Sequence, residues 1–157
     1  MARTVLGWEQ VWPWPIMMGR SKRARNRAAR GRKPDRGTAS KAALPAGLEP
    51  MEKVAFSCWA VESFRTRLAA SGKRQILLGG IEAHVCVLMS ALDLLAAGFA
   101  VHVVADAVTS RTQANWRLAM DYLRQAGAVV TTTETALFQL LGQADSDAFR
   151  ELARLIR

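Results

Sequence analysis

Residues 51–157 predict an α/β fold with a mostly parallel sheet, on three observations. Short runs rich in Val, Ile and Leu alternate with stretches of helical length, the connections between them are brief, and glycines close the helical stretches. Alternation of this kind builds a parallel sheet through right-handed crossovers.

Each element has its own warrant. Residues 60–71, AVESFRTRLAAS, carry Val61, Phe64 and Leu68 at helical spacing, with Gly72 beyond the end. RQILLGG follows, a short apolar run ending in glycines that suits a buried parallel strand. Residues 85–97 are apolar except for Ser90 and Asp93 and stop at Gly98, which predicts a core helix with Cys86 in its first turn. AVHVVADAV is valine-rich and reads as a further central strand. Residues 112–126 place Trp116, Met120 and Leu123 on one helical face, with Gly127 after them. AVVTTTE reads as a third strand, and TALFQLL and DAFRELARLIR as closing helices.

Charge divides the chain. Residues 1–50 hold 11 Lys/Arg against 3 Asp/Glu, whereas residues 51–157 hold 11 against 10. The first fifty residues, with GRSKRARNRAARGRKPDRG at their centre, read as a basic leader too poor in apolar surface to offset its ordering entropy. Arg-rich leaders also occur as organelle transit peptides, but this one has no clear amphipathic face. A basic arm binds phosphates, yet no nucleic-acid fold accompanies it, so nucleic-acid binding is disfavoured. No apolar run reaches the length of a membrane span, and Glu9, Trp12, Pro13 and Pro15 interrupt any secretory core. Membrane association is not expected. Cys58 and Cys86 form neither a metal-binding spacing nor a disulfide framework, so reduced thiols in a cytoplasmic protein are expected.

Cys86 is the residue to explain. In open parallel sheets ligands sit beyond the carboxyl ends of the strands, where QILLGG delivers the chain. A cysteine at a helix start there gains from the dipole and from unpaired backbone N–H groups, which favour the thiolate. The same N–H groups suit an oxyanion formed when a thiolate attacks a carbonyl. Position alone favours the plainer reading, a small buried hydrophobe.

The string LLGGIEAHVCVLMSALDLLAAGFAVHVVADAVTSR closely resembles the isochorismatase-like cysteine hydrolase superfamily, in the branch carrying G-I-E-A-x-x-C-V before an LDLL helix. EKVAFSCW extends the resemblance upstream, so that it covers about Glu52 to Leu141. It implies a three-layer α/β/α domain with a Rossmann-like sheet. It also implies a nucleophile at Cys86, a catalytic lysine at Lys53, and a non-proline cis peptide between Ile81 and Glu82. The backbone N–H groups of Glu82 and Cys86 would form the oxyanion hole. True isochorismatases lack this cysteine, so its presence points to an amide-like C–N bond and a covalent acyl-enzyme. No such role attaches to His84, for which a loop or packing role is expected. Glu82 is expected to contribute backbone, Asp106 a structural hydrogen bond, Cys58 a bystander thiol, and Trp116 a core or interface anchor.

The resemblance also implies an Asp at the end of a first strand, and residues 1–50 supply no match. Asp35 stands in GRKPDRGTA, which is not a strand setting. Residues 1–50 therefore read as a leader joined to a partial hydrolase domain at 51–157, with its amino-terminal part incomplete and its turnover impaired. The strand QILLGG would then present an open edge, the hazard that pairing with a second copy relieves. The expectation is a small-molecule hydrolase that forms a homo-oligomer, needs no cofactor and holds no metal. The alternatives are a non-catalytic family member acting through oligomerisation, and a nucleic-acid binder using its basic tail.

Overall fold

The computed structural model describes residues 17–19 and 51–156. The basic leader expected over residues 1–50, Asp35 included, lies outside these residues apart from 17–19. Those three form a short strand, β1 (Met17–Gly19), parallel to β2 (Met51–Lys53). Neither strand is among the elements that the sequence predicts.

The main body is a parallel three-stranded sheet flanked by helices, a three-layer α/β arrangement. Its strands are β3 (Gln75–Ile81), β4 (Ala100–Thr109) and β5 (Val129–Thr131), in the order β3-β4-β5. Helix α1 (Glu62–Ala70) precedes β3 and buries Phe64 and Leu68, one turn apart. Helix α2 (Leu88–Ala96) joins β3 to β4, and α3 (Gln113–Gln125) joins β4 to β5. Helices α4 (Thr133–Leu141) and α5 (Asp147–Leu155) follow, with Phe138 and Phe149 packed at 5.8 Å between ring centroids. The core lies between sheet and helices, with Leu68, Leu94, Val101, Val103, Met120 and Leu123 almost wholly removed from water.

Two of the element boundaries that differ from the sequence expectation bear on the site and the sheet. The helix predicted from residue 85 is α-helical only from Leu88, because residues Ala83–Val87 form a π-helical turn. Cys86 therefore sits inside that turn and not in the first turn of an α-helix. Strand β5 is shorter than AVVTTTE because Thr132 leaves the sheet to cap α4, its hydroxyl accepting the Thr135 N–H at 3.2 Å.

The paired glycines near the end of β3 shape the path of the chain toward Glu82. Leu78 pairs with Val103 but Gly80 pairs with Val108, so β4 carries extra residues opposite Gly79. A Cβ on Gly79 would stand 3.4 Å from the Ala107 carbonyl oxygen, and Gly80 has φ +123°, a conformation that favours glycine. The irregularity brings the end of β3 back into register with β4 just before Glu82. Gly80→Ala is expected to destabilise the protein by more than about 1 kcal/mol, read from chemical denaturation. An unchanged midpoint would show that this backbone tolerates a side chain.

Strand β3 pairs only with β4 among the described residues, and Leu77 and Ile81 are 37% and 62% exposed along it.

Candidate active site

The site is built at the carboxyl end of β3. The Ile81–Glu82 peptide bond is cis, and the π-helical turn starts at the next residue. Within the turn Ala83 and Val87 are buried in the core, while His84, Val85 and Cys86 stay partly open. The Glu82 carbonyl accepts hydrogen bonds from the Val85 and Val87 N–H groups, both at 3.1 Å. The bond that a regular α-helix would make to that carbonyl, from the Cys86 N–H four residues on, is not among them. Widened turns of this kind are frequent at functional sites.

The Glu82 side chain faces the β4–α3 connection. Its Oε2 accepts from the Arg111 backbone N–H and from Arg111 Nε, both at 3.2 Å. The Arg111 side-chain hydrogen bond is the main reason the Glu82 carboxyl lies below the 4.5 of an ordinary glutamate; partial burial opposes it. His84 Nδ1 lies 3.0 Å from Ser110 Oγ and 3.5 Å from Glu82 Oε2, and the Asn115 amide meets His84 Nε2 at 3.3 Å. His84 thereby ties the turn to the loop after β4, a packing role in keeping with the expectation for it.

A pH dependence follows with a definite sign. Glu82 is lowered in the folded state, so its contribution is complete above its ordinary value and disappears as pH falls through the lowered one. The full chain is expected to be more stable than Glu82→Gln at pH 7, with the gap closing in acid. Urea midpoints across pH measure this, and a gap independent of pH would contradict it. Because the pair is partly exposed, the gap is expected to be small and to shrink in high salt.

Lys53 ends β2, and its ammonium donates to the carbonyls of Ala55 at 2.9 Å and Phe56 at 2.7 Å. Among the described residues no hydrogen bond joins it to Cys86. Cys58 is buried at 8% exposure, whereas Cys86 is half-buried, and both thiols are free. Asp106, at the irregular part of β4, accepts from the Thr133 N–H at 2.8 Å and its hydroxyl at 3.0 Å, tying β4 to the start of α4. The Thr133 N–H is the main reason its carboxyl is lowered; burial opposes it, and the same residue's hydroxyl adds a lesser lowering. Trp116 packs against the core and donates its indole N–H to the Ala105 carbonyl. Among the described residues no three His, Cys, Asp or Glu side chains gather as metal ligands, and no helix is long and apolar enough to cross a membrane.

Comparison with known proteins gives this junction a family. The isochorismatase domain profile matches residues 16–135, most of the chain. The chain belongs to the isochorismatase-domain family. The match begins ahead of the Glu52–Leu141 span that carries the motif resemblance. Isochorismatase domain-containing protein 2 of Bos taurus is 43% identical over 112 residues, covering 71% of this chain and 54% of that protein. The chain thus spans about half the length of this curated relative. Among solved structures, the MAR1 ribonuclease of Caenorhabditis elegans is similar at 38% identity and a TM-score of 0.68, over 74% of this chain and 59% of that one. YcaC of Pseudomonas aeruginosa, solved with hexane-2,5-diol and covalent acrylamide, is similar at 25% identity and a TM-score of 0.62, over 66% of this chain and 52% of that one. The family and its hydrolase fold rest on these matches together.

Proposed function

We propose that this isochorismatase-family chain attacks a small amide-like C–N bond with the Cys86 thiolate. The thiolate sulfur adds to the carbonyl carbon, and the oxyanion so formed is received by the Glu82 and Cys86 backbone N–H groups. The C–N bond then breaks, the amine leaves with a proton, and water cleaves the Cys86 thioester to release the acid. Lys53 favours the thiolate by its charge and helps to hold the substrate.

The reading is carried by the junction itself: a half-open cysteine in a π-helical turn, beside a carbonyl that takes the N–H groups on either side of it. It gains support from the covalent acrylamide on the Pseudomonas relative, since acrylamide is an electrophilic amide to which thiols add. Acid–base help is the weak part. Glu82 is engaged by Arg111, Asp93 by Ser57 and Asp106 by Thr133. Such help contributes about 10²–10⁴ in rate. Slow turnover with an accumulating acyl-enzyme is the expected behaviour.

The test is to incubate the purified full chain with a panel of small primary amides. Intact mass then reports an acyl adduct on Cys86, and released ammonia reports turnover. If neither forms, and iodoacetamide modifies Cys86 no faster than free cysteine, the hydrolase reading fails and the non-catalytic alternative stands.

The name of the Caenorhabditis relative favours a second reading, RNA cleavage. RNA cut by the wild-type chain but not by Cys86→Ala would favour it over amide hydrolysis. We also propose homo-oligomerisation along β3, whose outer side leaves Leu77 and Ile81 partly in water. Sedimentation of the full chain as a monomer at micromolar concentration would reject it.

A further inference from the structure

We infer that Ser57, Ser90 and Asp93 form a clamp that positions the Lys53 segment against the helix leading from Cys86. The inference rests on the reading of Cys86 as nucleophile and Lys53 as its helper, and adds residues to which that reading gives no part.

The segment after β2 would be free to move if its backbone alone held it, because Val54 and Phe56 are exposed and make no core. Side chains from α2 fix it in place. The Ser57 hydroxyl donates to Asp93 Oδ2 at 2.5 Å. The same Ser57 oxygen accepts the Trp59 N–H at 3.1 Å, so both its roles are filled. The Cys58 N–H donates to Ser90 Oγ at 2.9 Å, and Ser90 is only 1% exposed. A buried hydroxyl and a buried N–H meeting in this way would each be costly without the other.

Helical spacing gives the clamp its meaning. Ser90 and Asp93 stand four and seven residues beyond Cys86, about one and two turns along. Lys53 is bound into the clamped segment from its other side, since its ammonium holds the Ala55 and Phe56 carbonyls immediately before Ser57. The lysine and the cysteine belong to separate elements, and among the described residues no hydrogen bond joins them. The clamp is the rigid link that fixes one relative to the other, so Ser57, Ser90 and Asp93 are positioning residues.

The experiment uses the full chain and two thiols with opposite expected responses. Peptide mass spectrometry follows iodoacetamide modification of Cys86 and Cys58 separately in wild type, Lys53→Met, Ser57→Ala, Asp93→Asn and Ser57→Thr. On the proposed reading, in which Lys53 favours the thiolate, removing its charge is expected to slow Cys86 by about tenfold. Ser57→Ala and Asp93→Asn are each expected to slow Cys86 to a similar degree, with no further loss when combined with Lys53→Met. Cys58, freed from its buried seat, is expected to react faster in both. Ser57→Thr keeps the hydroxyl and is expected to restore both rates.

The contrary results separate cleanly. Should Lys53→Met slow Cys86 while neither clamp variant does, the clamp inference is overturned and the catalytic reading survives. Both thiols reacting faster in the clamp variants marks a merely structural bond, and overturns the inference equally. If Lys53→Met leaves the Cys86 rate unchanged, the helper role of Lys53 falls and takes this inference with it. Asp93→Asn and Ser57→Ala break the same bond from opposite ends, so failure of one variant to fold leaves the other to decide.

Discussion

Cys86→Ala is expected to abolish both acyl-adduct formation and amide turnover, and to remove the rapid phase of thiol modification, leaving only slow reaction at Cys58. The contrast rests on burial, because Cys58 is 8% exposed within the core while Cys86 lies half-open in the turn. A reagent must reach the sulfur before its reactivity counts, and the thiolate is the reacting form. Cys86→Ser is the sharper control, since it keeps the size and polarity of the site while replacing sulfur by a far weaker nucleophile. Thiol modification with the two sites resolved by peptide mass checks both variants. Equal rates at Cys58 and Cys86 in the wild type would mean that the turn confers no special reactivity.

The largest effect on stability is expected at Leu94. It lies in the last turn of α2, fully buried, between the sheet and the neighbouring helices. Leu94→Ala removes its methyl-bearing end and leaves a cavity that the packed strands β3 and β4 fill poorly. The cost is about 3 kcal/mol, within the usual range for such truncations. For an ordered body of this size, that lowers Tm by roughly 10 °C or more. Thermal unfolding followed by circular dichroism measures it. A shift of only a degree or two would show that α2 packs loosely. Leu118→Ala on the exposed side of α3 is the matched control and should change little.

The fold is legible in the sequence where a periodic pattern repeats over several residues. The apolar run of β3, the valines of β4 and the face bearing Met120 and Leu123 on α3 each give several consistent positions, and the structure forms all three elements where the pattern puts them. Strand β3 is nonetheless an edge strand among the described residues, with Leu77 and Ile81 exposed, and not the buried strand its composition suggests. Three-residue strands offer no period to read, so β1 and β2 are invisible, and Met51-Glu52-Lys53 looks no more like a strand than like a loop. The shortening of β5 does have a local signal: a threonine at 132 is a ready helix cap, and its hydroxyl turns the chain out of the sheet. The π-helical turn has none, because it is a slip in backbone hydrogen bonding, and Ala, His, Val and Cys are compatible with either winding.

The candidate site divides in the same way. The string around Cys86 is legible through family resemblance, and the family is shown by comparison. The parts proposed for Cys86, Lys53 and the Glu82 and Cys86 N–H groups are for the thiol-modification and turnover experiments to decide. The contacts of Ser57 with Asp93 and of Cys58 with Ser90 join positions more than thirty residues apart. No local pattern announces such pairs. Ser90 and Asp93 do stand out as the two polar residues in an otherwise apolar helix, and a buried polar residue is always a question about its partner.

The widened turn before α2 also works as a splice. Each residue of an α-helix advances the chain by about 100° around the axis. The π-helical turn takes in one residue more than an α-helical turn over the same path, so Ser90 and Asp93 leave at almost the bearing a plain helix would give them. Deleting Val85 is therefore expected to leave the start of α2 seated in the core while it closes the widened turn and re-spaces His84 and Cys86, although nothing about the composition of Ala83–Val87 would suggest it.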